Sequence, residues 1–184
     1  MLAVSAWFDD AADAAIRDLW RRMAEAAVDD SLHAGPYRPH ITLGIWEDAP
    51  AETASTAVAE VVAGLPPFPV RFRAIGIFPP HPVHRDIRQY AAVWLSPTLT
   101  PTLRNVHEKV HSAMRAEGKP LARYTPGRWN PHCTVAWRLT PQHALTATDV
   151  VMRANVLPLT ATVTHLGLID TPAEIELHTF PLGD

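Results

Sequence analysis

A short stretch that occurs twice constrains the fold of this chain more than any other feature. The first copy reads Arg-Pro-His-Ile-Thr-Leu-Gly-Ile-Trp at 38–46, and the second reads Trp-Asn-Pro-His-Cys-Thr-Val-Ala-Trp at 129–137. Each copy has a proline, then His-x-Thr, then an apolar run. This pattern predicts a strand with its proline at the entrance, where a missing N–H is tolerated.

Successive side chains of a strand point to opposite faces, so each predicted strand has a polar face and an apolar face. On the polar face a histidine, a threonine and a small residue form a floor on which a ligand can lie. The predicted polar faces are His40, Thr42 and Gly44 in the first copy, and His132, Thr134 and Ala136 in the second. The predicted core faces are Ile41, Leu43 and Ile45, and Cys133, Val135 and Trp137.

The context of the two copies is repeated as well. His132 lies 92 residues after His40, half the length of the chain, and Ile-Gly-Ile at 75–77 is matched by Leu-Gly-Leu at 166–168. Strands and helices alternate in the same order in both halves, which indicates an internal duplication. We therefore predict an α+β fold of two lobes related by a pseudo-twofold axis. Antiparallel sheets would line a central cleft, helices would lie outside, and residues 1–184 would form one domain.

Helix boundaries follow from caps and breakers. Thr100-Pro101 and Thr140-Pro141 each place a capping hydroxyl before a proline in the first turn, and Asp9 or Asp10 can cap the first helix. The segment 29–39, which contains Gly35 and Pro36, is predicted to be a loop.

Composition narrows the class of protein. The chain has 184 residues, 47% of them hydrophobic, and a net charge of −3, which excludes a broad basic surface for long nucleic acid. The single cysteine, Cys133, permits no disulfide within the chain and predicts a reducing, cytoplasmic setting. We expect no signal peptide, no membrane span and no obligate protein partner, and thus a monomer.

On the two motifs, the chain resembles the 2H phosphoesterase superfamily, which includes the bacterial 2′-5′ RNA ligases and cyclic nucleotide phosphodiesterases. That family carries one His-x-Thr/Ser motif in each half. The matching residues here are His40, Thr42, His132 and Thr134. Val135 stands where the family often has leucine, on the predicted core face.

The resemblance implies a phosphoesterase without a metal or other cofactor, acting on a nucleotide or RNA end that bears a 2′,3′-cyclic phosphate or a 2′-5′ linkage. One neutral imidazole would take a proton from water, and one imidazolium would give a proton to the leaving oxygen. Histidine suits both roles because its ordinary pKa is about 6.5. The threonine hydroxyls would donate to the phosphate oxygens. Reversed, the same site would form a 2′-5′ RNA bond.

Residues just before each motif are candidates for substrate binding, because arginine can clamp phosphate and an aromatic ring can stack on a base. They are Tyr37, Arg38, Arg123, Tyr124, Arg128 and Trp129. A further hypothesis is that the predicted loop 79–89 forms a basic lid, with His81, His84, Arg85 and Arg88.

Two alternatives stay open. His107-Glu108-Lys109-Val110-His111 matches the His-Glu-x-x-His pattern of zinc peptidases, in which two imidazoles on one helix face hold the metal. Lys109 is a charged residue where such motifs are uncharged, and a half-exposed amphipathic helix explains the pattern as well. The second alternative is a module that binds a nucleotide without turning it over.

Overall fold

The computed structural model of the chain describes residues 1–80 and 90–183. Its helices are α1 (Asp10–Glu25), α2 (Ser31–Ala34), α3 (Ala51–Val62), α4 (Pro101–Ala113) and α5 (Pro141–Ala154). Its strands are β1 (Leu2–Phe8), β2 (His40–Glu47), β3 (Phe68–Phe78), β4 (Ala91–Pro97), β5 (Lys119–Pro120), β6 (Cys133–Leu139), β7 (Leu159–Asp170) and β8 (Ile175–Pro181). The suggested basic lid, with His81, His84, Arg85 and Arg88, lies outside the described residues.

The strands form an antiparallel sheet in the order β5-β2-β1-β7-β3-β4-β6, and β8 pairs with β7. The long strand β7 joins two lobes, since residues 159–163 pair with β3 while 163–170 pair with β1. One lobe therefore contains β5, β2, β1 and β8, and the other contains β3, β4 and β6. The predicted α+β fold with antiparallel strands is confirmed.

The two halves of the chain meet where β3 pairs with β7. Residues 68–72 lie antiparallel to residues 159–163, with Val70 opposite Ala161 at the centre. The units β1-α1-β2-α3-β3 and β4-α4-β6-α5-β7 follow the same order on either side of this pair. This arrangement is the pseudo-twofold that the repeated motif predicts.

The helices lie on the apolar side of the sheet, and two of them are exchanged between the halves. Helix α1 belongs to the first half but packs on β6 and against α5, and α4 belongs to the second half but packs on β2 and against α3. Buried side chains of α1, such as Ile16 and Leu19, share one core with those of α4, such as Leu103 and Val110.

Local signals at the helix ends are confirmed by the caps. The side chain of Asp9 accepts from the Ala12 N–H at 3.1 Å, Thr100 accepts from Leu103, and Thr140 accepts from His143. The prediction of an unbroken loop at 29–39 is wrong, because the short helix α2 occupies its centre. Asp29 stabilises the start of α2, since its carboxylate accepts hydrogen bonds from both the N–H and the hydroxyl of Ser31. Within the described residues, no helix is both long and apolar enough to cross a membrane.

The two repeated glycines each make room for a tryptophan. A Cβ on Gly76 would lie 2.2 Å from the ring of Trp94, and a Cβ on Gly167 would lie 2.0 Å from the ring of Trp7. Real Cβ contacts are never this short, so glycine is required for close packing at both places. The glycines thus place one indole near each histidine motif.

Candidate active site

Both motif histidines are oriented by their own backbone. His40 Nδ1 lies 2.6 Å from the carbonyl oxygen of Arg38, and His132 Nδ1 lies 2.7 Å from that of Asn130. A carbonyl can only accept, so each Nδ1 carries the proton. The proline between each histidine and the residue whose carbonyl it binds, Pro39 or Pro131, is buried. The same tautomer is therefore fixed in both halves, and the chemistry of each ring falls to Nε2.

One cleft of about 530 Å³ is lined by both histidines and both threonines. His40, Thr42, His132 and Thr134 are all half-buried, as expected for side chains that face a cavity. The volume falls within the range of small-molecule sites, about 300–1,000 Å³. The structure therefore brings together the four residues that the motifs single out.

Burial lowers the pKa of His40, and the hydrogen bond to the Arg38 carbonyl opposes this shift. Loss of hydration penalises the charged imidazolium, whereas the carbonyl stabilises its Nδ1 proton. The neutral ring is favoured, with Nε2 as a proton acceptor.

A β-bulge follows the threonine in each motif strand. The register runs from Ser5–Thr42 to Val4–Gly44 and passes over Leu43. In the second half it runs from Trp94–Thr134 to Val93–Ala136 and passes over Val135. The extra residue reverses the alternation of side chains beyond it.

The bulges correct the predicted faces. Gly44 does not face the cleft, because a Cβ there would lie 2.3 Å from the Trp46 ring and 3.1 Å from His111 Nε2, on the helix side. Ala136 is buried. Ile45 and Trp137, which strict alternation assigned to the core, line the cleft instead. The small residue of each motif is therefore a packing requirement behind the strand.

Two indole N–H groups hold the threonine carbonyls beside the bulges. Trp129 Nε1 donates to the Thr42 carbonyl at 2.9 Å, and Trp20 Nε1 donates to the Thr134 carbonyl at 3.1 Å. A bulge interrupts the ladder of backbone bonds, so such carbonyls need other donors. Each motif is thus anchored by a tryptophan from outside its own strand.

The two histidines of the His-Glu-x-x-His pattern also bind backbone carbonyls near the first motif. His107 Nε2 donates to the Tyr124 carbonyl at 2.8 Å, and His111 Nε2 donates to the Leu43 carbonyl at 3.2 Å. The ring of His107 is stacked on Trp129 with 4.0 Å between centroids and 5° between planes. His107 is 1% exposed and lies on the buried side of α4, whose other side is exposed, as expected of a half-exposed amphipathic helix.

These contacts give no support to a zinc site. The nitrogens that donate to carbonyls carry protons and are not available to a metal. Burial lowers the pKa of both imidazoles, that of His107 to about 4. Among residues 1–80 and 90–183, no group of three or more His, Cys, Asp or Glu side chains is placed to hold a metal ion.

Five of the six predicted binding residues line the cleft, namely Tyr37, Arg38, Arg123, Tyr124 and Arg128. The guanidinium of Arg38 lies 4.7 Å above the ring of Trp7, and that of Arg123 lies 5.1 Å from the ring of Tyr124. The sixth residue, Trp129, is not among the lining residues, because its ring is stacked on His107 and its N–H is bound behind β2.

Several lining residues escaped the sequence argument. Glu174 lines the cleft from the turn between β7 and β8, and Glu176 lines it from the start of β8. The hydroxyl of Tyr37 donates to Glu174, and Arg38 Nη1 lies 3.9 Å from Glu176. Burial and the bond to Glu174 raise the pKa of Tyr37 to about 12, so it stays a donor.

The cleft floor is formed by β1, through Ala3, Ser5 and Trp7. Strict alternation along β1 places these three residues on one face of the strand. The strand carries no charged residue or motif, so the sequence does not show which of its two faces lines a site. Ser5 Oγ and Trp7 Nε1 are buried and have no hydrogen-bond partner within the described residues.

Replacing Trp129 with phenylalanine tests the anchor of the first motif. The ring and its stacking on His107 would be largely kept, but the Thr42 carbonyl would lose its donor. We expect kcat to fall by roughly three- to tenfold with little change in KM, and stability to fall by about 1 kcal/mol, the typical net value of one hydrogen bond. Trp20→Phe makes the matching change at Thr134 and should behave alike. Loss of stability with unchanged kcat would show that the indole only supports the fold.

Comparison with known proteins identifies similar folds and a matching family. No curated protein has significant sequence similarity to the chain. Usb1 of Kluyveromyces marxianus has a similar fold, with a TM-score of 0.58, 14% identity and coverage of 98% of this chain and 97% of Usb1. The protein TT0787 of Thermus thermophilus gives a TM-score of 0.57, 17% identity and coverage of 98% of this chain and 97% of TT0787.

Escherichia coli LigT, solved with 3′-AMP, gives a TM-score of 0.55, 15% identity and coverage of 100% of this chain and 98% of LigT. At such identities, these structures are evidence for the fold alone. A family model supplies the sequence evidence, because the model of the 2′-5′ RNA ligase superfamily matches residues 9–174. The chain therefore belongs to the 2′-5′ RNA ligase superfamily, the phosphoesterase and ligase group that its paired His-x-Thr motifs predict.

Proposed function

We propose that this protein is a metal-independent phosphoesterase that opens 2′,3′-cyclic phosphates or cleaves 2′-5′ linkages of nucleotides or RNA ends. The observation that supports this most is the matched orientation of two histidines in one cleft, each with Nδ1–H bound to the carbonyl two residues earlier. Two imidazoles with the same tautomer, each accompanied by a threonine, suit a reaction with one proton transfer on each side of phosphorus.

His40 is assigned as the general base because its lowered pKa favours the neutral ring. Its Nε2 takes a proton from water as the water oxygen forms a bond to phosphorus. The bond from phosphorus to the 2′ or 3′ oxygen breaks, and the leaving oxygen takes the Nε2 proton of protonated His132. The hydroxyls of Thr42 and Thr134 donate to the non-bridging oxygens as charge develops on them. In the reverse direction, with a 5′-hydroxyl as the nucleophile, the same groups would form a 2′-5′ bond.

The ligands of two structural neighbours support a nucleotide substrate. The structures include Usb1 with uridine monophosphate and LigT with 3′-AMP. A cleft of about 530 Å³ with arginines at its rim suits a ligand of that size. The enzyme would act as a monomer, and a module that binds nucleotides without turnover is the second candidate.

Hydrolysis of adenosine 2′,3′-cyclic phosphate in the presence of EDTA tests the proposal. We expect turnover to be unaffected by the chelator, because both proton transfers use side chains of the chain itself. The product is followed by phosphorus NMR. Activity that disappears with EDTA and returns with zinc would favour metal catalysis, and binding without turnover would favour the nucleotide module.

A further inference from the structure

The charges around the cleft are nearly balanced. The described lining residues include three arginines, Arg38, Arg123 and Arg128, and two glutamates, Glu174 and Glu176. With the histidines neutral, this leaves one positive charge, and the imidazolium required for the acid step adds a second. One phosphodiester carries a single negative charge. Proteins that hold several phosphates of a nucleic acid instead present a cation for each of them.

The two glutamates also hold the residues beside the first motif. Glu176 lies 3.9 Å from Arg38, whose guanidinium is positioned above Trp7 at 4.7 Å. Glu174, in a left-handed backbone conformation with φ of 56°, accepts from the Tyr37 hydroxyl. The positive charge of Arg38 is thus already compensated, and this wall of the cleft presents carboxylate oxygens.

A carboxylate accepts hydrogen bonds from hydroxyl or amino groups but repels phosphate. The floor below this wall has further polar groups, since the buried Ser5 Oγ and Trp7 Nε1 have no partner among the described residues. Both residues line the same cleft. Wall and floor together suit a small ligand rich in hydroxyl groups.

We propose that the cleft is selective for a nucleoside 2′,3′-cyclic phosphate with a free 5′-hydroxyl over the end of an RNA chain, and that Glu174 and Glu176 make this distinction. The two substrates differ at the 5′ oxygen, which carries a hydrogen in the mononucleotide and a further phosphate in RNA. The 5′-hydroxyl can donate a hydrogen bond to a carboxylate. A 5′-phosphate instead adds negative charge beside the two carboxylates of Glu174 and Glu176. The inference rests on the proposed function and specifies its substrate class.

A matched pair of substrates provides the test: adenosine 2′,3′-cyclic phosphate with a 5′-hydroxyl and the same compound with a 5′-phosphate. We expect the wild type to prefer the 5′-hydroxyl compound by at least about tenfold in kcat/KM. Glu174→Gln and Glu176→Gln should each reduce this preference by roughly fivefold, the value of one charge–charge contact near 4 Å in a water-like dielectric. Raising the salt concentration should reduce the preference as well.

Glu47→Gln is the control. Glu47 also pairs with a basic residue, Lys119, at 3.8 Å with a side-chain exposure of 42%, close to the 44% of Glu176, but it lies outside the cleft lining. This variant should keep the wild-type preference. A wild type that favours the 5′-phosphate compound, or a preference that neither cleft variant reduces, would overturn the inference.

If neither compound is hydrolysed, the proposed activity fails, and the inference is then decided by binding. Calorimetric titration of the two compounds into the wild type should still give the tighter Kd for the 5′-hydroxyl compound. Equal affinities would overturn the selectivity. Both glutamates are exposed, so replacement by glutamine leaves the core intact, and thermal unfolding of each variant verifies this.

Discussion

His40→Ala and His132→Ala should each lower kcat/KM on a 2′,3′-cyclic phosphate by at least roughly 10²-fold, the lower end for loss of one general acid or base. Each substitution removes the only proton-transferring ring on its side of the cleft in the proposed mechanism. The double variant should lose much less than the product of the two effects, because groups that act as a unit are not additive. Initial rates at several substrate concentrations check this.

Threonine variants provide the comparison for the histidine result. Thr42→Val and Thr134→Val remove a neutral donor and should cost on the order of tenfold, since water can partly replace a hydroxyl. In the wild type, kcat/KM should be bell-shaped in pH. Its rising limb should lie below pH 6.5, because burial lowers the pKa of His40. If only one histidine matters, the paired acid–base mechanism is wrong.

The protein should lose stability on acidification from about pH 6.5 to pH 4 because of His107. Burial lowers the pKa of this ring to about 4, whereas the unfolded chain takes up the proton near the ordinary value of 6.5. In that window the unfolded state binds more protons, so the free energy of unfolding falls as the pH falls. The loss attributable to His107 at pH 4 is on the order of 3 kcal/mol.

Urea unfolding at several pH values, compared with His107→Phe, isolates this contribution. The phenyl ring can still stack on Trp129 but cannot take a proton, so the variant should show a flatter pH dependence in this window. It should also be less stable at pH 7, since the Tyr124 carbonyl loses its donor. His143→Gln, on the exposed surface, is the control and should follow the wild type. Parallel curves for His107→Phe and wild type would contradict the prediction.

The sequence predicted those features that depend on local repetition. Two equivalent motifs, two equivalent glycines and capped helix starts were sufficient to infer a duplicated α+β fold and a shared cleft. They were sufficient because a strand places His and Thr on the same face wherever it lies in the fold. Such pattern rules need no knowledge of neighbouring elements.

What the sequence did not predict depends on partners that are distant in the chain. The two bulges arise from pairing with β1 and β4, so nothing within 40–47 or 133–139 marks the change of face at Gly44 and Ala136. Trp129 was interpreted as a stacking platform for substrate because aromatic rings beside a motif often serve that role. Its contacts with His107 and Thr42 are between residues far apart in sequence.

Glu174 shows the same limit. It follows the first motif by more than 130 residues, and only the pairing of β7 with β1 and β8 brings it to Tyr37. The carboxylate wall of the cleft is therefore a product of topology.

The exchange of α1 and α4 between the halves has a consequence for how such a protein can be divided. Each half supplies one helix that packs on a motif strand of the other half, as two subunits do after domain swapping. The chain is in effect a swapped dimer joined into one polypeptide. Either half alone would expose an apolar sheet face, so a stable fragment should form only when both halves are present together.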